Sequence, residues 1–436
     1  MTPSRPPARL HYAWVIAGLT FLILLASAGV RSAPGVLIVP LEREFGWSRA
    51  TISSAVSVNL MLYGLIGPFA AALMAYLGVR RTVVLSLTVV SAGVALTSLM
   101  TTPWELVLLW GVVVGGGTGM TALVLGATIV NRWFAERRGL VLGVLTASTA
   151  TGQLVFLPML AAVVQDHGWR SAVWIVAGAA ALVVPLAALF LRDWPADVGL
   201  RPFGAKDEVD ERPVVSANPV AAALGGLRDG LRSRDFWLLA GSFFVCGAST
   251  NGLIGTHLIP ACVDQGIPEV RAAALLAMMG LFDLVGTTLS GWLSDRWDNR
   301  KLLCWYYGLR GLSLIYLPFA LGDTGWGLTA FAVFYGLDWI ATVPPTVRLT
   351  ADAFGRARAG IMFGWIVAAH QIGAAVATLG AGSIRAWMGD YERAFLTSGA
   401  LCLLTSAMVL QIGRSARNAA PVVPEPAAPV PAGEVA

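Results

Sequence analysis

Three charged residues stand inside long apolar runs: Asp283 in Leu281-Phe282-Asp283-Leu284-Val285, Arg310 in Tyr307-Gly308-Leu309-Arg310-Gly311-Leu312, and Asp338 in Gly336-Leu337-Asp338-Trp339. A carboxyl group removed from water favours its neutral form, so an acid in such a place can bind and release a proton. Arg310 can serve as the fixed partner of one acid or as an anion-binding group. If it neutralises Asp338, Asp283 is left to titrate; if it neutralises Asp283, the roles exchange. A fourth charge, Arg31, is flanked by apolar residues and followed by Pro34-Gly35. Its guanidinium can hold a carboxylate through two parallel hydrogen bonds or reach out to headgroups along its aliphatic stem. His257, His370 and Gln371 also interrupt apolar runs; histidine titrates near neutrality, though its commoner role there is packing. Asn59, Tyr63, Gln153 and Asn251 are polar enough to line a cavity, or to join helices by hydrogen bonds.

The elements that must position these groups follow from composition. The chain has 436 residues, 56% of them hydrophobic and 13% charged, with a mean hydropathy of +0.71. That is too apolar for a water-soluble protein of this length. Apolar stretches long enough to cross a hydrocarbon layer about 30 Å thick occur at 12–40, 51–77, 82–101, 104–131, 139–164 and 171–191. A second set follows at 236–262, 272–293, 302–321, 325–347, 359–384 and 394–412. Ala26-Ser27-Ala28 imitates a signal-peptide cleavage site, but the apolar run resumes to Leu41, so the first stretch is read as a spanning helix. The fold expected is an all-α polytopic membrane protein of twelve transmembrane helices.

Of the 30 Lys and Arg residues, 22 fall on the side of the N-terminus and 6 on the other, leaving only Arg31 and Arg310 inside helices. Basic loops stay in the cytoplasm, so both termini are expected there. The net charge of +5 is scattered through these loops rather than gathered on one face, which argues against a nucleic-acid partner. Arg greatly outnumbers Lys, as in GC-rich bacterial genomes, and an inner (plasma) membrane is expected. The domains expected are a six-helix bundle (1–191), a cytoplasmic linker (192–235) whose end, 224–234, reads as an interfacial helix, a second bundle (236–412), and a disordered tail (413–436) rich in Ala, Pro and Val. Cys246, Cys262, Cys304 and Cys402 lack metal spacing and read as packing residues.

The two sets of six repeat at a spacing of about 220 residues, the kind of symmetry expected of transporters. Gly291-Trp292-Leu293-Ser294-Asp295-Arg296, followed by Arg300-Lys301, closes the eighth stretch; Gly78-Val79-Arg80-Arg81 stands at the matching place after the second, with Ala75 where the acid would be. Phe134 and Arg138 match Phe354 and Arg358, and Pro40 matches Pro260. In these residues the chain resembles the major facilitator superfamily, whose signature is Gly-x-x-x-Asp-Arg-x-x-x-Arg-Arg/Lys after helix 2 and, more weakly, after helix 8. The resemblance implies two parallel six-helix repeats. It implies gating roles for Gly78, Arg80, Arg81, Gly291, Asp295, Arg296, Arg300 and Lys301, in which the acid and bases hold the halves together in one state and release them in the other.

Phe45-Gly46-Trp47-Ser48-Arg49 and Trp133-Phe134-x-x-Arg137-Arg138-Gly139-x-x-x-Gly143 look like the monocarboxylate transporter branch and its oxalate/formate antiporter relatives. This resemblance implies organic anions as substrates, carried with a proton or exchanged. That family's eighth helix bears an Asp with an Arg one turn later; here the second position is Thr287. Its first helix bears a basic residue before a small one, here Arg31-Ser32. The antiporter relatives hold a dianion with basic residues on helices 8 and 11, whereas this chain offers Asp283, Thr287 and His370. A monocarboxylate taken up with a proton is therefore expected. Arg31, Asn59, Tyr63, Gln153, Asn251, His257, His370 and Gln371 would contact substrate, and Asp283, Asp338 and Arg310 would couple the proton. The alternative is a proton-coupled exporter of amphipathic drugs or metabolites. No nucleophile elbow, phosphate loop or metal spacing appears, so neither an enzyme nor a cofactor is expected, and the chain is expected to act as a monomer in the lipid bilayer.

Overall fold

A computed structural model describes residues 11–121, 123–205, 218–322 and 326–413. Among them the chain is helical throughout, with one isolated bridge between Phe134 and Phe203 in place of any sheet. The spanning helices of the first half are α1 (Tyr12–Phe45), α2 (Arg49–Leu77), α3 (Val79–Thr97), α4 (Pro103–Trp133), α5 (138–167) and α6 (169–190). Those of the second half are α7 (Arg234–Asp264), α8 (Glu269–Ser294), α9 (Asn299–Gly322), α10 (Gly327–Phe354), α11 (Arg356–Met388) and α12 (Glu392–Gln411).

By length and apolarity alone only ten helices qualify to cross a membrane, and two local causes account for the difference. Hydrogen bonding runs on from α5 into α6, but the backbone breaks at Gly168 (φ 80, ψ 164), a conformation essentially confined to glycine. In α9, which has 24 residues, Trp305, Tyr306, Tyr307 and Arg310 dilute the hydropathy.

Helix ends follow local chemistry. The Ser48 hydroxyl accepts the Thr51 N–H at the start of α2, and Gly46 (φ 67) ends α1 in the left-handed region, so the two helices reverse through three residues. Glu105 accepts the N–H groups of Thr101 and Thr102 at 2.7 and 2.9 Å, capping the start of α4. Trp133 and Phe134 are fully buried. Phe134 meets the rings of Trp14 and Phe203, so this aromatic pair plugs the end of the first half where α1 begins.

The apolar core is divided unevenly. Toward the end of the bundle that holds the α1–α2 turn, one continuous cluster takes residues from both halves, among them Leu37, Ile38, Leu157, Ile254 and Leu276. Toward the opposite end there are two clusters: one is built wholly from the first half, and the other from the second half with Phe69 of α2 against it. The halves therefore share their core at the α1–α2 end and keep separate cores at the other. The broadest seams between them are α2 against α11 and the α5–α6 unit against α8, and α1 also touches α7.

The linker ends in a helix, Pro219–Leu231, which begins before the 224–234 expected of an interfacial helix because Asn218 caps it and Pro219 opens its first turn. It lies on α11, where Trp365 donates its indole N–H to the Ala223 carbonyl at 2.8 Å. The centre of the linker (206–217) and the tail from 414 onward fall outside the described residues. Exposed tryptophans mark both ends of the bundle: Trp104, Trp174, Trp326 and Trp387 on one side, Trp237, Trp292, Trp297 and Trp305 on the other. This is the aromatic belt of a membrane-spanning protein.

Candidate functional site

A cavity of about 50 Å³ lies between the halves and is lined by Arg31, Asn59, Trp110, Asn251, Thr256 and Trp339, among others. It has room for roughly three to five waters. Two irregularities of the backbone shape it. Val107–Val114 in α4 and Ala248–Ile254 in α7 form π-helical turns, a local widening that loosens the ladder of helical hydrogen bonds. Trp110 belongs to the first turn and Asn251 to the second. Asn59 donates its amide to the Trp110 carbonyl at 2.7 Å. It can do so because α2 and α4 touch at Gly115, where a Cβ would come within 2.7 Å of the Asn59 Cα.

Arg31 does not reach for the headgroups. Its Nη1 donates to the Tyr63 hydroxyl at 3.3 Å, and its guanidinium carbon stands 4.6 Å from the centre of the Tyr63 ring. Among the described residues no carboxylate pairs with it. A cation over an aromatic face is partly stabilised but keeps donors free for an anion.

Arg310, by contrast, is consumed. It is 1% exposed, and its Nε meets the Asp338 carboxylate at 2.6 Å. Its Nη2 donates to the carbonyls of Asp338 (2.5 Å) and Trp339 (3.2 Å), and its Nη1 to the Cys246 sulfur at 3.0 Å. Of the two roles open to Arg310, the geometry gives it that of structural partner, away from the cavity wall. Asp283, 4% exposed, has no ion pair among the described residues; its Oδ1 accepts the Thr287 hydroxyl at 2.8 Å and the Ile340 N–H at 2.9 Å. Thr287 thus serves the acid itself.

Several expected contacts lie elsewhere. His257 sits toward the C-terminal end of α7 with both ring nitrogens occupied, Nδ1 by the Tyr391 hydroxyl (3.1 Å) and Nε2 by the Thr378 carbonyl (2.9 Å). His370 packs on Phe243 with ring centres 4.9 Å apart. Gln371 is buried in the α2–α11 seam against Gly64; neither residue lines the cavity. The Gln153 side chain is outside what the structure describes.

The expected gating residues make contacts inside their own halves. Asp295 pairs with Arg348 at 3.3 Å, Arg300 with Asp298 at 2.7 Å, and Arg296 lies over the Trp292 ring. The Arg300 guanidinium holds the Asp298 carboxyl below the usual carboxylate range. Gly78 lets Asp193 approach the start of α3, where its carboxylate accepts the Arg80 N–H at 2.8 Å. Asp193, beyond α6, thereby supplies an acid to the loop that has Ala75 in the signature position. Among the described residues Lys301 and Arg81 are exposed, with no ion pair.

The residue that does join the halves is Arg49, counted above among the outer loop charges. It is 4% exposed and grips Asp264 bidentately at 2.6 and 2.8 Å, Glu42 at 2.8 Å and the Tyr391 hydroxyl at 3.1 Å. Arg385 adds a bond to Asp264 at 2.7 Å. The sequence signal was its place as the last residue of Phe45-Gly46-Trp47-Ser48-Arg49, at the first turn of α2 rather than in a loop. This network ties the two halves together at the end of the bundle that holds the α1–α2 turn. Arg49→Gln is expected to loosen it, raising labelling of the buried Cys262, near the C-terminal end of α7, by a membrane-impermeant maleimide at least about tenfold. Unchanged labelling would mean that the shared apolar core alone closes that side.

Comparison with known proteins agrees with this architecture. Residues 19–378, and in a second overlapping match 272–434, fit the profile of the Major Facilitator Superfamily. Monocarboxylate transporter 12-B of Danio rerio is 25% identical over 432 residues, covering 92% of this chain and 86% of that protein. Monocarboxylate transporter 11 of Homo sapiens is 26% identical over 445 residues, covering 99% and 89%. The uncharacterized MFS-type transporter YcxA of Bacillus subtilis is 24% identical over 405 residues, covering 90% and 92%. Among solved structures, a bacterial homolog of the human lysosomal transporter Spinster, in an inward-facing and unoccupied conformation, superposes with a TM-score of 0.74. It is 17% identical and covers 93% of this chain and 97% of that one. With its twelve helices, its two repeated halves and a match spanning nearly the whole length, the chain belongs to the Major Facilitator Superfamily and is a membrane transporter, not an enzyme.

Proposed function

We propose that this transporter carries small monocarboxylates together with a proton across a bacterial inner membrane, exposing the cavity to each side in turn, with both termini in the cytoplasm. The observation that carries this reading is Arg31, a guanidinium on the cavity wall with no carboxylate partner among the described residues. An unpaired cation in a low-dielectric site is costly, and an anionic substrate is what would relieve it. One cation suits one negative charge, and a cavity of about 50 Å³ suits a small one. The names of the relatives support the same class. Because Arg310 is spent on Asp338, Asp283 is the acid left to carry the proton.

The test is uptake of labelled mono- and dicarboxylates into proteoliposomes with and without an inward proton gradient. Gradient-driven accumulation of a monocarboxylate is the expected result. It should vanish in Asp283→Asn while exchange without a gradient persists; uphill uptake by that variant would remove Asp283 from the coupling.

A second reading, export of an amphipathic compound, draws on a groove between α1 and α5 of about 430 Å³, faced by Trp14, Gly18, Phe21, Leu140 and Val144. It predicts no carboxylate uptake at all, and a resistance phenotype that survives Arg31→Ala.

A further inference from the structure

Helix α10 is interrupted between Asp338 and Val343. The cause is local: Pro344 and Pro345 have no N–H, so the carbonyls of Ile340 and Ala341 lose their helical donors. Broken backbone inside a membrane survives only where other groups satisfy it. Here the Val343 N–H takes the Ile340 carbonyl at 2.9 Å, and side chains from two neighbouring helices satisfy other groups of the break. From α8, the Asp283 carboxylate accepts the Ile340 N–H at 2.9 Å and the Ser290 hydroxyl donates to the Ala341 carbonyl at 2.5 Å. From α9, Arg310 takes the carbonyls of Asp338 and Trp339. Trp339, in the middle of this held segment, is also part of the cavity wall.

We infer that Asp283 is a positioning residue for the cavity: its bond to the Ile340 N–H holds the α10 break, and through the break it sets where Trp339 stands against the substrate. This rests on the proton-coupled reading above and gives the proton a route to the substrate. A hydrogen bond to a carboxylate is roughly twice as strong as one to a neutral acceptor. Protonation of Asp283 therefore loosens its grip on Ile340, and the interrupted segment gains freedom to bend, as helices do at proline breaks. The groups that face this acid are Arg310 from α9, Asp338 from α10 and Cys246 from α7, with Thr287 on its own helix; Tyr306 of α9 stands against Ser290 and Asp338 instead. The α5–α6 unit packed on the other side carries titratable groups only at 138, 166, 167 and 170, near helix ends. None of the facing groups but Asp283 touches a backbone N–H of the break.

The test is hydrogen–deuterium exchange of the full chain in lipid nanodiscs. Peptides across 336–346 are followed at about pH 5.5 and pH 8, after correction for the intrinsic pH dependence of exchange. Protection of the break in the unmutated protein should fall at least about tenfold at the acid pH. Asp283→Asn, whose amide oxygen still accepts but cannot be ionised, should show the low protection at both pH values. Equal protection at both pH values in the unmutated protein overturns the inference, and that comparison needs no variant to fold. The transport reading fails separately: if Asp283→Asn still accumulates substrate uphill, coupling through Asp283 is wrong whatever the amides do. If accumulation is lost while the amides stay flat, only the link to α10 is wrong.

Discussion

Arg31→Ala is expected to lower kcat/KM for carboxylate uptake by about 100-fold. Removing a charge-assisted pair of hydrogen bonds costs on the order of 1.5–3 kcal/mol, and about 2.7 kcal/mol corresponds to two powers of ten. Much of the loss should be recovered in Arg31→Lys, which keeps the charge but loses the planar fork. Tyr63→Phe offers a control, because it removes the hydroxyl that Arg31 donates to at 3.3 Å while leaving the ring beneath the cation. Its effect should be only a few-fold. Initial rates in proteoliposomes decide the matter; an Arg31→Ala protein with unaltered uptake would leave the cavity without its anion site.

Arg310→Ala is expected to damage the fold itself. It strands the Asp338 carboxylate, which is 7% exposed and whose Oδ1 already has no hydrogen-bond partner. Breaking one member of a buried pair costs about 3–5 kcal/mol, and the α10 carbonyls lose their donor as well. The paired change Arg310→Met with Asp338→Leu removes both charges and should recover part of the loss, as replacement of buried ion pairs by apolar residues often does. It should not recover all of it, because the carbonyls of Asp338 and Trp339 remain unsatisfied. Unfolding in mixed micelles with increasing SDS would show the order: unmutated protein most stable, double variant intermediate, Arg310→Ala least. A double variant no better than the single one would mean that the backbone bonds of Arg310 outweigh its pairing with Asp338.

The sequence by itself determined the solvent, the number of helices, the twofold repeat and the short list of buried charges. Each rests on a property local to a stretch of chain. Twelve apolar runs need lipid whatever their arrangement, and an Asp amid Leu, Phe and Val is conspicuous wherever its helix packs. Helix caps such as Ser48 and Asn218 are equally local, and Pro219 after Asn218 starts the linker helix five residues before the expected 224.

Only the tertiary structure decided which charges meet. Arg310 pairs with Asp338 because α9 and α10 bring them within 2.6 Å, and no spacing along the chain distinguishes Asp338 from Asp283. His257 is polar at the right depth, yet α11 and the start of α12 claim both its nitrogens. Arg49 was read as a loop charge because sequence places it at a helix end; Asp264, 215 residues away, makes it a latch. Pairings between distant segments depend on how helices rotate and cross, and those angles are set by the whole packing rather than by any one stretch of residues.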